Sequence, residues 1–153
     1  MTGKKKAALA VEALKKEYPG AVCSLDYGKP YELLISVRLA AQCTDARVNV
    51  ITPELFRAYP TLEDLASAEV DAVEKIVRPC GLGATKARDI VAMSKMLLSD
   101  YGGVVPDTME ALLKLPGVGR KTANLILGDV YGKPAIVCDT HCIRITNLLG
   151  LTT

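Results

Sequence analysis

The sequence predicts an all-α fold, and three observations predict it. Apolar residues recur at three- and four-residue spacing, while no alternating pattern runs longer than a few residues. Half of the 153 residues are hydrophobic, yet the chain has one Phe and no Trp, so Leu, Ile, Val and Ala must fill the core. Such an aliphatic core suits packed helices. Helix stop signals follow the periodic runs: Gly102 with Gly103, Pro116, and Gly132 with Pro134. The length suits one ordinary domain, or one and a half small lobes.

The elements follow in chain order. A first helix is expected around Lys4 to Tyr18. Lys4, Lys5 and Lys6 precede only a short apolar stretch before Glu12, too short for a secretory signal, and read as a solvated, frayed terminus. No apolar run reaches the length of a membrane span. Tyr31 to Ala41 is apolar nearly all round and reads as a central, buried helix. Thr61 with Asp64 marks another helix start. Ala87, Ile90, Val91, Ser94, Leu97 and Leu98 share one helix face, which Gly102 and Gly103 end. Pro106 and Asp107, with Glu110 three residues on, resemble a helix start with a capping pair.

The densest signal is Leu115-Pro116-Gly117-Val118-Gly119-Arg120-Lys121-Thr122-Ala123-Asn124. Pro116 stops the preceding helix. Gly117 and Gly119 allow positive φ and a close backbone approach. Helix resumes from about Arg120 to Tyr131, giving helix, hairpin, helix. The first N–H groups of that second helix lack partners inside it. With the turn amides they form a positive concavity suited to a phosphate oxygen. An ordinary αα-hairpin would explain Gly-Val-Gly alone. Leu-Pro before it and Arg-Lys-Thr after it favour the phosphate site.

Lys121 falls in the first helical turn, where the positive end of the dipole disfavours the charged amine. A partly desolvated lysine there can act as a nucleophile. The alternative is a solvated surface lysine. Eleven residues from Lys121 to Tyr131 rise roughly 15 Å as helix. Six residues from Gly132 to Val137 can span roughly 20 Å when extended. The chain can therefore return Asp139, in Val137-Cys138-Asp139-Thr140-His141, to the neighbourhood of Lys121. A carboxylate there could accept a proton or stabilise a developing cation. Asp139 and Thr140 also read as the cap of a helix from His141 to Leu149, which would explain one of the two residues. His141 is the only histidine, which excludes multi-histidine metal sites. It reads as an orienting or packing group.

The five cysteines are Cys23, Cys43, Cys80, Cys138 and Cys142. Only Cys138 and Cys142 could share a helix face, and two thiols do not close a metal site. All five are expected to pack as free thiols in a reducing compartment. The net charge of +2 is weak support for a nucleic-acid partner. Placement says more, because Lys86, Arg88, Lys114, Arg120 and Lys121 lie at or near two glycine turns, where phosphate contacts would fix position.

These residues resemble the helix-hairpin-helix superfamily of DNA glycosylases, and within it the endonuclease III group. Leu115 to Asn124 is similar to the family hairpin, with its attacking lysine at Lys121. Val137 to His141 is similar to the aspartate loop, with the catalytic carboxylate at Asp139. Ala41-Gln42-Cys43-Thr44-Asp45 and Gly81-Leu82, followed by Lys86-Ala87, are similar to two further family segments. The likeness covers nearly the whole chain. It implies a helical barrel domain over 22–134 that carries the hairpin. It also implies a partial second lobe from 1–21 and 135–153.

The implied activity is base-excision repair of double-stranded DNA bearing a damaged, oxidised pyrimidine or an abasic site. Lys121 would attack the sugar C1′ and expel the base, and β-elimination would then nick the strand. Gln42 would fill the hole left by the flipped base, and Leu82 would wedge into the opposite strand. DNA contacts are also implied for Lys86, Gly117, Val118, Gly119, Arg120, Thr140 and His141. A monomer acting in the cytoplasm at the nucleoid is expected.

Two departures from the family pattern stand out. The typical member continues past Thr153 with four cysteines, spaced Cys-x6-Cys-x2-Cys-x5-Cys, that hold a [4Fe-4S] cluster. A cluster is therefore expected only in a longer form, and the terminal helices here are expected to expose apolar faces. Gly83 stands where the family often has an aromatic residue. The weighed alternatives are a non-catalytic helix-hairpin-helix DNA-binding module, a truncated inactive fragment, a monofunctional glycosylase and a purely structural scaffold. Monofunctional relatives lack a lysine at the position of Lys121.

Overall fold

Local capping chemistry sets where many of the helices begin. In the computed structural model, which describes residues 1–153, nine α-helices and one 3-10 turn account for the regular structure, with no strand. They are α1 (Gly3–Glu17), α2 (Pro30–Ala40), α3 (Asp45–Ala58), α4 (Leu62–Ala66), α5 (Val70–Val77), the 3-10 turn Arg78–Cys80, α6 (Gly83–Tyr101), α7 (Met109–Leu112), α8 (Arg120–Asp129) and α9 (Thr140–Leu148). The chain divides into two compact units, Ser24–Ile136 and the pair of terminal segments Met1–Cys23 and Val137–Thr153. No helix is long and apolar enough to cross a membrane.

The larger unit is built around α2 and α6. Pro30 opens α2, and the Glu32 carboxylate accepts from the N–H groups of Gly28 (2.7 Å) and Lys29 (3.0 Å). Leu33, Leu34, Ile35 and Leu39 are buried along this helix, as its nearly all-round apolar pattern requires. The capping box of Thr61 and Asp64 starts α4. α4 and α5 pack on α6, α3 and α8 pack on α2, and α7 packs on α8. On α6 the buried stripe is Ala87, Ile90, Val91, Ser94 and Leu97, with Met93 added and Leu98 half-buried. Each fully buried Leu or Ile contributes roughly 1.5–3 kcal/mol over an exposed one, so this aliphatic stripe holds the unit together.

α7 begins one residue later than expected. Thr108, not Pro106-Asp107, is the cap, and its hydroxyl accepts from Ala111 N–H at 3.3 Å. The Asp107 carboxylate instead pairs with Lys133 at 3.3 Å. The end of α8 is closed by Gly132 at φ +61°, with Gly132 N–H donating to Gly128 and Lys133 N–H donating to Leu127 at 2.9 Å.

The smaller unit contains α1 and α9. Neither helix has a fully buried residue, and Leu9, Leu14, Ile143 and Leu148 are exposed. Lys4 to Lys6 are helical. They form the first turn of α1, where the Thr2 hydroxyl accepts from Lys5 N–H at 3.3 Å. The cysteines also differ from expectation. None of the five forms a disulfide, but only Cys80 is buried and Cys138 is exposed.

Candidate nucleic-acid interface

The hairpin between α7 and α8 is fixed by two apolar anchors. Leu115 and Val118 are buried, and Val118 N–H donates to Leu115 at 3.2 Å. Gly117 between them takes φ +74°. A Cβ built there would lie 2.8 Å from Cδ and Nε of Arg38 and 2.9 Å from the Asp89 carboxylate. Arg38 Nε and Asp89 Oδ2 form a mostly buried ion pair at 2.7 Å. The turn therefore sits directly on a charged pair reached from α2 and α6, and only glycine leaves room for it.

Gly119 behaves differently. It is extended, with φ −102°, so of the two glycines only Gly117 uses the positive φ that glycine allows. It is the N-cap of α8, provides no capping side chain, and has open space where a Cβ would project. The amide donors of Arg120, Lys121 and Thr122 begin the helix without a side-chain cap. An uncapped helix start beside open space is an anion site in waiting. Arg120 and Lys121 are both exposed in this first turn, with Lys121 one residue beyond Arg120.

Asp139 belongs to the smaller unit. Its Oδ1 accepts from Cys142 N–H at 2.7 Å and so caps α9. Thr140 and His141 are exposed in the first turn of that helix. Burial, helped by neighbouring Cys138 and Asp139, pushes the Cys142 thiol pKa up. That cause fits a carboxylate held close to the start of the helix.

Gln42 and Leu82 are exposed, and both have left-handed backbones, at φ +54° and +50°. Gln42 sits in a turn in which Cys43 N–H donates to Ala40 at 3.1 Å, with Ala41 at φ −59° and ψ 117°. That is the type II pattern, whose third residue is usually glycine. Leu82 is the N-cap of α6, and its side chain is 56% exposed. A leucine at a strained, solvent-facing helix start has no packing reason for its place.

Lys86 requires a correction. Expected as a DNA contact, it is fully buried. Its Nζ donates to the carbonyls of Leu39 (2.9 Å), Ala41 (2.8 Å) and Cys80 (2.8 Å). All three ammonium donors are spent, so none is left for a phosphate. Burial lowers its pKa from the usual lysine value. The adjacent Cys80 thiol is pushed up to about 11, by burial first and by Cys43 second.

Sequence reasoning missed Arg38 and Asp89. The only signal was Arg38 itself, a charge near the end of a helix that is apolar nearly all round. No cluster of three or more His, Cys, Asp or Glu side chains is placed to hold a metal ion. The five cysteines present do not fit a four-thiolate cluster site.

Residues 35–153 match the family of HhH-GPD superfamily base excision DNA repair proteins. The chain is 44% identical over 150 residues to endonuclease III of a Synechocystis strain, covering 97% of this chain and 68% of that protein. Two solved structures of endonuclease III with DNA, one non-covalent and one a trapped covalent intermediate, are also similar. Each aligns with a TM-score of 0.91 and 41% identity, covering 100% of this chain and 71% of the other.

Proposed function

The chain belongs to the HhH-GPD superfamily of base excision DNA repair proteins, and on that premise we propose that it is a DNA glycosylase with abasic-site lyase activity. Its substrate is duplex DNA carrying an oxidised pyrimidine or an abasic site. The observation that carries this reading is the exposed Lys121 in the first turn of an uncapped helix start, beside the open face of Gly119. The backbone donors there hold a phosphate of the strand. That fixes the sugar relative to the amine, and positioning is a large share of any such rate gain.

In this mechanism the Lys121 amine attacks C1′, the C1′–N bond breaks, and the base leaves with the bonding pair. Ring opening breaks the C1′–O4′ bond, O4′ takes the proton that Asp139 received from the amine, and a Schiff base between Lys121 and C1′ results. Loss of a proton from C2′ then expels the 3′ phosphate. Asp139 stabilises the positive charge that develops on the sugar and accepts the proton released from the amine. Gln42 occupies the space left by the extruded base, and Leu82 enters the opposite strand, which offsets part of the unstacking cost. Gly117, Val118, Gly119 and Arg120 hold the phosphate, and Thr140 and His141 flank the carboxylate. The enzyme acts where the chromosome lies, in the cytoplasm at the nucleoid. An iron–sulfur cluster would need cysteines beyond these five, and no step here runs through one.

Borohydride tests the reading directly. Wild type incubated with a duplex bearing one thymine glycol or abasic site gives a covalent adduct, and Lys121→Gln gives none. Tight duplex binding by wild type with no trapped species overturns it.

A further inference from the structure

Gln42 and Leu82 are the only non-glycine residues with positive φ. They belong to different segments, yet one side chain reaches both. Lys86 Nζ donates to Ala41, the residue before Gln42, and to Cys80, two residues before Leu82. Its third bond goes to Leu39 at 2.9 Å. The Lys86 backbone N–H donates to the carbonyl of Leu82 itself at 3.0 Å.

We infer that Lys86 is a positioning residue: a buried clamp that holds Gln42 and Leu82 at a fixed separation for joint entry into duplex DNA. This rests on the glycosylase reading above.

The chemistry suits lysine. The last carbonyls of α2 and of the 3-10 turn have no partners within their own helices. An ammonium offers three donors from one point, and each bond to a carbonyl is charge-assisted. Arginine spreads its donors along a rigid planar fork, whereas the three donors of an ammonium rotate about one point. Left-handed backbone at Gln and Leu is disfavoured and persists only where surroundings fix it. The side chains of Gln42 and Leu82 are exposed, so burial of those side chains is not what fixes their backbones. Fixing the carbonyls beside them supplies that constraint from the buried side. Preorganisation of this kind spares the probes an ordering cost when they meet DNA.

The test uses the full chain. Lys86→Met keeps the apolar stem and removes the donors, and Lys86→Gln keeps two of them. Single-turnover excision of thymine glycol is measured for each in the wild-type background and in a Gln42→Ala, Leu82→Ala background. Lys86→Met is expected to slow excision about tenfold or more in the first background and less than about twofold in the second, because residues that act through one another are not additive. Lys86→Gln recovers part of the rate.

An equal loss in both backgrounds means that Lys86 serves only the general fold, and it overturns the clamp. If Lys86→Met fails to fold, amide hydrogen exchange on Lys86→Gln decides. Faster exchange confined to 40–43 and 80–83, with the 115–122 hairpin unchanged, supports the clamp, and a uniform rise overturns it. A wild type inactive on both thymine glycol and abasic duplexes refutes the glycosylase reading instead, while the exchange pattern still tests the clamp.

Discussion

Cys80 and Lys86 are neighbours in the core with opposite electrostatic consequences. Burial holds the Cys80 thiol neutral, with a pKa raised from 9.0 to about 11. The folded chain therefore binds more protons than the unfolded one between those values. Stability tied to Cys80 is intact below pH 9 and is lost as pH climbs through about 11. Lys86 has the opposite sign. Its lowered pKa means that the unfolded chain binds more protons between the folded value and 10.5, so its contribution rises with pH there. Urea unfolding of wild type and Cys80→Ala from pH 8 to 11 isolates the first effect. The stability gap between them is expected to narrow with rising pH, and a constant gap would show that the thiol is not held neutral. Lys86 also shows what the sequence made legible. Its nearness to a glycine turn suggested a phosphate contact. Yet Lys86, Ile90 and Ser94 fall at i, i+4, i+8, on the stripe that was recognised from Ala87 to Leu98. Extending that stripe back one turn would have placed the lysine inside. What could not be foreseen were its acceptors, because Leu39, Ala41 and Cys80 are brought to it only by tertiary packing.

At the scale of elements, the hairpin separates two glycines that look alike in sequence. Helix, turn and helix were legible because Leu-Pro and Gly punctuate the chain locally. The Arg38–Asp89 support was not, since its partners are 51 positions apart and meet only when α2 packs on α6. Gly117→Ala forces a left-handed alanine and a Cβ within 2.9 Å of that ion pair. Backbone strain of about 1–2 kcal/mol and overpacking of about 1–3 kcal/mol then combine, so a loss of at least about 2 kcal/mol is expected in denaturant unfolding. Gly119→Ala meets nothing within 4 Å and needs no unusual φ. Its stability should stay within about 0.5 kcal/mol of wild type. A methyl there nevertheless projects into the space that a phosphate oxygen would use. DNA affinity, measured by fluorescence anisotropy at fixed salt, should therefore fall for Gly119→Ala while its unfolding midpoint holds. If Gly119→Ala binds DNA as wild type does, the phosphate does not approach this turn.

At the scale of the whole molecule, the two residues of the proposed chemistry belong to units that differ in burial. Lys121 sits on the unit whose helices bury a continuous aliphatic core. Asp139 sits on the unit in which neither α1 nor α9 has a fully buried residue. Helices of 15 and 9 residues are marginal in water without tertiary support, so their caps matter more than usual. Asp139 caps α9, and in the proposed mechanism it is also the carboxylate of the reaction; substitution can separate the two. Asparagine caps about as well as aspartate but has no charge. Asp139→Asn should leave amide exchange across 140–148 near the wild-type rate and should depress single-turnover excision by a factor on the order of 10²–10⁴, the usual share of a general acid–base group. Asp139→Ala loses both functions. Its exchange across 140–148 should rise by about the fivefold that a lost cap of ~1 kcal/mol implies, on top of the same fall in excision. Full excision by Asp139→Asn would leave Asp139 with the cap alone, and Lys121 would then have to find its carboxylate elsewhere.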